Sequence, residues 1–145
     1  MREIERNGIA VAGSVLVDKI NEIKAYPQSG ELTQIVGLEK AVGGCVPNVA
    51  LDLKKICPDM MVKAIGKIGN DEEGVYVSEV LSQGGVDVTG FIVDDSDKTS
   101  FTEVMSVING QRTFFTYPGT SANFGYEDID FENLNIEIFH MGYFL

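Results

Sequence analysis

The residue types best suited to chemistry gather in Gly43-Gly44-Cys45-Val46-Pro47-Asn48-Val49-Ala50, a glycine pair opening into a helical pattern with an amide side chain in its first turn. Paired glycines let a ligand approach the backbone, free N–H groups at a helix start donate hydrogen bonds, and Asn48 carries both a donor and an acceptor. Such a set suits hydroxyl groups. On spacing alone, the alternative is a tight strand-to-helix turn with Asn48 as a cap. The second candidate is Asp18, which follows Gly13-Ser14-Val15-Leu16-Val17 at the expected carboxyl end of the first strand. Open α/β sheets bind ligands at that end, and a carboxylate there accepts two hydroxyl hydrogen bonds. Its alternative is a solvated turn residue or a helix cap.

Other chemistries find little support. There is no G-x-x-x-x-G-K-[ST], Gly66-Lys67 lacks the upstream glycine that would let backbone amides wrap phosphate, and no G-x-G-x-x-G occurs. The one histidine, His140, lies in an apolar run and reads as a hydrogen-bonded core or pocket-edge residue without a catalytic role. Metal clusters and a Ser/His/Asp triad are correspondingly unsupported. Cys45 and Cys57 stand without a partner motif, which suggests reduced thiols and no disulfide framework.

Eleven Lys and Arg against 22 Asp and Glu give a net charge of −11, which repels phosphate backbones and anionic lipid, so no nucleic-acid partner is expected. No stretch approaches the roughly 18 apolar residues of a membrane span, and Met1 to Asn7 is too polar to open a signal peptide, so no membrane partner and a cytoplasmic location are expected. With 44% apolar and 9% aromatic residues in 145, the chain can bury a core as one unit.

The elements that must position these residues alternate. Ile9 to Val15 has the β-branched composition of a strand buried on both faces. Ile20 to Lys24 and Leu32 to Ala41 flank the turn signal Pro27-Gln28-Ser29-Gly30, a hairpin with a wet face. Val46, Val49, Ala50, Leu53 and Ile56 recur at helical spacing, with Pro47 suited to the first turn and Pro58 ending the pattern. Val62 to Ile68 returns to strand composition, and Asn70-Asp71-Glu72-Glu73 caps a helix closing at Gly84-Gly85, with Val77, Val80 and Leu81 inward. Phe91-Ile92-Val93 is a further strand; Phe101 to Ile108 and Arg112 to Tyr117 flank Asn109-Gly110, a two-residue hairpin signal. Glu127-Asp128-Ile129 begins a helical turn, and Ile136 to Met141 reads as a core strand. The whole predicts an α/β sheet with helices on its faces and a smaller β layer projecting from it. Phe139, Met141, Tyr143, Phe144 and Leu145 make an apolar terminus, expected to be covered by the next helix of a longer protein or by an oligomeric partner.

Taken in order, these segments resemble the ribokinase-like, or PfkB, carbohydrate kinases. Gly13-Ser14 with Asp18 is similar to the family's opening strand and sugar-binding aspartate, and Gly43-Gly44 with Asn48-Val49-Ala50 to its signature G-G-x-x-x-N-x-A. Ile65 to Gly74 resembles G-x-x-G-x-D-x-x-G, and Gly85-Val86-Asp87-Val88-Thr89 resembles G-V-D-x-[ST]. Thr99-Ser100-Phe101, Gly110-Gln111-Arg112-Thr113 and Tyr117 to Asn123 follow in the family's order, so the likeness spans nearly all of residues 8–145.

The resemblance implies a Rossmann-like central sheet with a β lid, the lid strands lying at about 20–41 and 99–117, and residues 1–145 forming the N-terminal sugar-binding and lid portion. It implies transfer of the γ-phosphoryl of ATP, with magnesium, to a hydroxyl of a sugar or sugar acid. Asp18, Gly43, Gly44 and Asn48 would hold sugar hydroxyls. The lid would close to exclude water. Cys45 stands where ribokinases proper have lysine, and Leu16 where they have asparagine, so the hydroxyl-binding set is not that of a ribose enzyme. The family's glycine-rich anion hole and catalytic base have no counterpart here, and no G-A-G-D occurs, so this chain alone is expected to be inactive. Two further readings stay open. One is a non-catalytic sugar-binding or dimerising module, its lid edges pairing in a homodimer. The other is a nucleoside kinase of the same superfamily, with Phe101, Phe114 and Tyr117 as stacking or lid-packing aromatics.

Overall fold

The computed structural model describes residues 6–108 and 110–142. Met1 to Glu5, Asn109 and Tyr143 to Leu145, and with them parts of the polar start, the hairpin signal and the apolar terminus noted above, lie outside the described residues.

Two four-stranded sheets share the chain. The first holds β1 (Ile9–Ala12), β4 (Val62–Gly69), β5 (Asp87–Asp94) and β8 (Ile138–Met141) in the order β5-β4-β1-β8. All three pairings are parallel. The second holds β2 (Leu16–Ile23), β3 (Ile35–Gly43), β6 (Ser100–Val107) and β7 (Arg112–Tyr117) in the order β3-β2-β6-β7. Two antiparallel hairpins meet in it through a parallel β2–β6 pairing.

Side-chain alternation along β1 gives the first sheet two different faces. Ile9 and Val11, with Val62 and Ala64 beside them, pack against helix α1 (Cys45–Ile56) and helix α2 (Glu72–Gln83) through Val46, Ala50, Val77 and Leu81. Ala10, Ala12 and Ile65 face the other way, onto Phe124, Ile129 and Ile136. That face is covered by the chain after β7, which includes 3-10 turns at Gly119–Asn123 and Tyr126–Asp128. Lys67 pins this cover, its Nζ lying 3.1 Å from the Asp128 carboxylate and donating to the Asn123 carbonyl at 2.8 Å. Both α-helices therefore lie on one face of the sheet.

Three expectations shift. β8 is an edge strand and mostly exposed, so His140, opposite Val11, is solvent-facing and not part of the core. The β6–β7 ladder ends at Ser106↔Arg112, with the Gly110 N–H donating to the Val107 carbonyl at 2.8 Å, so the connection is longer than a two-residue turn. The first hairpin of the second sheet starts at Leu16 and runs to Gly43, wider than the expected 20–41, because β1 stops at Ala12.

Candidate functional site

Asp18 is the third residue of β2, opposite Ala41 of β3 and Thr102 of β6. The sequence pattern puts it just past the first strand; instead Gly13, at φ 138°, turns the chain out of β1 and into the second sheet before Asp18 is reached. The side chain leans over Gly43, where an added Cβ would lie 2.6 Å from Asp18 Oδ2 and 2.7 Å from Leu16 Cδ1. Gly43 thus makes room for the carboxylate. Asp18 is half-buried, and burial is the sole influence on its titration, with no hydrogen-bond donor or cation among the described residues acting on it. Burial pushes its pKa above the ordinary aspartate value. The result is an acceptor whose lone pairs are unspent in a partly dry place.

Gly44 follows at φ 88°, a conformation that favours glycine, and its missing side chain lets the start of α1 press on the β1–β2 turn. A Cβ there would lie 2.6 Å from the Ser14 carbonyl oxygen. Ser14 takes up the first-turn donors: the Cys45 N–H donates to Ser14 Oγ at 3.2 Å and the Val46 N–H to the Ser14 carbonyl at 3.1 Å. Pro47 has no N–H, and the Asn48 N–H donates to the Gly44 carbonyl at 3.4 Å. The expectation of free helix-start donors for a ligand is corrected accordingly, since close packing on Ser14 consumes them. Nor is Asn48 a cap; Gly44 is the N-cap, without a side-chain bond, and Asn48 is exposed on the first turn. Asp18, Gly43 and Gly44 are brought together at the junction of the sheets, with Asn48 one helical turn beyond.

The sequence marks Asp71 as part of a helix cap but gives no sign that it, Thr99 and Ser121 hold this junction together. Asp71 caps α2 by accepting the Gly74 N–H at 2.9 Å and also accepts the Thr99 hydroxyl at 2.6 Å and the Thr99 N–H at 2.9 Å. The Gly69 N–H donates to the same Thr99 hydroxyl at 2.8 Å. Burial works to raise the Asp71 pKa, but the bonds from Thr99 and Gly74 and the nearby Lys98 outweigh it and hold the carboxyl below its usual range. Ser121 ties together the starts of β2 and β6, the two points where the chain crosses into the second sheet. Its Oγ accepts the Val15 N–H at 3.1 Å and donates to the Val15 carbonyl at 2.9 Å, while its N–H donates to Ser100 Oγ at 3.0 Å. Thr99, Ser100 and Ser121 are buried polar residues flanked by exposed ones such as Lys98, Pro118 and Ala122, so their roles show only in the packing.

The second sheet also reaches α2. Lys19 pairs with Glu73 at 2.8 Å, and the Tyr76 hydroxyl donates to the Lys40 carbonyl at 3.0 Å. On this same face Phe101 stacks on Tyr117 at 5.3 Å, with the Lys19 ammonium 4.4 Å from the Phe101 ring centre. Two of the three aromatics considered for base stacking are therefore packed against each other, on the face opposite Asp18.

The described residues do not fit the phosphates of ATP or a magnesium ion. The donors at the start of α1 are spent on Ser14, α2 opens with Glu72 and Glu73, and no described group of three or more His, Cys, Asp or Glu gathers to hold a metal.

Comparison with known proteins agrees with this architecture. Residues 7–143 match the family described as pfkB family carbohydrate kinase. Fructokinase-2 of Oryza sativa subsp. japonica is 29% identical over 142 residues, which make up 95% of this chain and 40% of that protein. The crystal structure of ribokinase from Thermotoga maritima superposes with a TM-score of 0.82 at 25% identity, covering 92% of this chain and 44% of that one. An Arabidopsis thaliana ribokinase, solved with ribose and ATP, shares the fold at a TM-score of 0.70 and 23% identity, covering 80% of this chain and 37% of its own. The chain thus spans about two fifths of the length of the relatives it matches. A parallel sheet with a four-stranded companion, glycines packed beneath an unpartnered aspartate, and the match over residues 7–143 lead to one conclusion: the chain belongs to the pfkB family of carbohydrate kinases.

Proposed function

We propose that the chain is the N-terminal, sugar-binding and lid-bearing part of a kinase that phosphorylates a sugar hydroxyl from ATP. The observation that carries this reading is the Asp18 carboxylate, half-buried, unpartnered among the described residues, and given space by Gly43. A desolvated acceptor of this kind binds hydroxyl donors more strongly than a solvated one. Asp18, with the exposed amide of Asn48, would hold the sugar so that one oxygen faces the donor phosphate. That oxygen bonds to the γ-phosphorus as the bond to ADP breaks, and the hydroxyl proton passes to a base. ATP, its magnesium, the anion hole and the base fall to the rest of the protein, in keeping with a chain two fifths the length of its relatives. The second sheet would act as the lid, keeping water from accepting the phosphoryl group.

The test is ATP-dependent phosphorylation by the complete protein over a panel of sugars, with Asp18→Ala beside it. Losing an acceptor of two charge-assisted hydrogen bonds should lower kcat/KM by about a hundredfold or more. Wild-type activity in Asp18→Ala would remove Asp18 from the site.

A second reading, a dimerising module, draws on the exposed apolar side chains of the second sheet, Leu38 and Phe115 among them. It predicts a concentration-dependent dimer in sedimentation that Leu38→Glu dissolves.

A further inference from the structure

Resting on the assignment of Asp18 as a hydroxyl acceptor, we propose that Thr116, oriented by the buried Thr102, is a second, specificity-determining hydroxyl contact for an uncharged sugar. Residues opposite one another in a sheet point to the same face. Asp18 stands opposite Thr102, and Thr102 opposite Thr116, so the three form one row across β2, β6 and β7. Thr102 is only 5% exposed, and its Oγ1 lies 3.1 Å from Thr116 Oγ1. A buried hydroxyl whose partner is a solvent-facing hydroxyl fixes the direction of that partner, leaving Thr116 another site to offer a ligand.

The spacing and the neighbours define the ligand. Two strand spacings separate the Asp18 and Thr116 backbones by about 10 Å. With a hydrogen bond at each end, a five- or six-membered ring with hydroxyls on opposite sides spans that gap, whereas a three-carbon polyol does not. The adjoining row on the same face is Ile20, Val104 and Phe114, apolar and matched to the C–H surface of a sugar ring. Charge on this face is mainly negative: Asp18, Glu22 and Glu39 share it, while Lys19 and Lys40 lie on the opposite face. Among the described residues of these strands, its cation is Arg112, four residues along β7 from Thr116, or about 13 Å. A carboxylate or phosphate on the ligand beside Thr116 would find no cation of these strands within hydrogen-bond reach, and the nearest charge across the row would be the like-charged Asp18.

The experiment uses the complete protein with neutral sugars and the sugar acids derived from them. Thr116→Val keeps the side chain's shape and suits a strand, and it should raise the KM for the accepted sugar about tenfold, the effect of one lost hydrogen bond, without moving the KM for ATP. Thr116→Ser should restore it, and Thr102→Val should give a smaller rise in the same direction. The neutral sugar should exceed its acid in kcat/KM by at least about tenfold. An unchanged sugar KM in Thr116→Val, or preference for the acid, overturns the proposal. Asp18→Ala separates the two levels. If it is inactive while Thr116→Val behaves as wild type, only the threonine assignment fails; if it is fully active, the hydroxyl site itself fails.

Discussion

The two sheets have similar strand compositions and opposite surroundings. β1 is buried at every position and β4 at most, whereas β7 is exposed at all of its positions and β3 at many. Ile35, Val36 and Leu38 are as aliphatic as Ile9 and Val11, yet the former face solvent and the latter lie under two helices. Burial here depends on what the connections bring over a strand, not on the strand alone. The first sheet therefore carries most of the core, and the second is held mainly at its junction, with its outer strands exposed.

That division can be broken or sharpened by substitution. The largest effect is expected at Leu81, 0% exposed between α2 and the first sheet: Leu81→Ala should cost about 3 kcal/mol in denaturant unfolding. Gly44→Ala should follow at about 2–3 kcal/mol, from positive-φ strain and from displacing α1 off Ser14. Asp71→Ala removes a cap and the anchor of Thr99 and should cost about 1–2 kcal/mol near neutral pH. Because the Asp71 pKa is lowered on folding, that contribution is present above the ordinary value of 3.8 and is lost as the pH falls through the lowered one. The gap between wild type and variant should close in acid. Asp18 has the opposite sign: its raised pKa means that the fold disfavours the charge, so wild type loses stability as the pH rises through that value. Asp18→Asn should therefore melt slightly higher than wild type near neutral pH, with no difference in acid, while losing activity. Smallest of all, Leu38→Ser, at a position 77% exposed, should shift stability by less than about 0.5 kcal/mol. A Leu38 effect near that of Leu81 would show that the second sheet is buried in solution.

Local signals carried most of the fold. Pro47, the acidic first turn behind Asp71 and the glycines at 84 and 85 placed both helices, because caps and breakers act within a few residues. The strand break at Gly13 was hidden, since Val15, Leu16 and Val17 remain buried at the junction and prolong the apolar run. That break moved Asp18 from the end of one sheet into the strand of another. The glycine pair was visible, but its purpose was not: only the packing shows that Gly43 admits Asp18 and that Gly44 admits Ser14. Likewise the parallel β2–β6 pairing, which aligns Asp18 with the two threonines, joins segments some eighty residues apart and leaves no trace in either.

Each hairpin of the second sheet begins and ends at one place. Leu16 lies opposite Gly43, and Phe101 lies opposite Tyr117, so each excursion returns to where it left the parallel sheet. An insertion whose ends coincide can be lengthened, shortened or exchanged without shifting the elements on either side. The second sheet is thus built like a pair of cassettes, anchored at the core by Val17 and Phe101 and open to change in the strand ends beyond them.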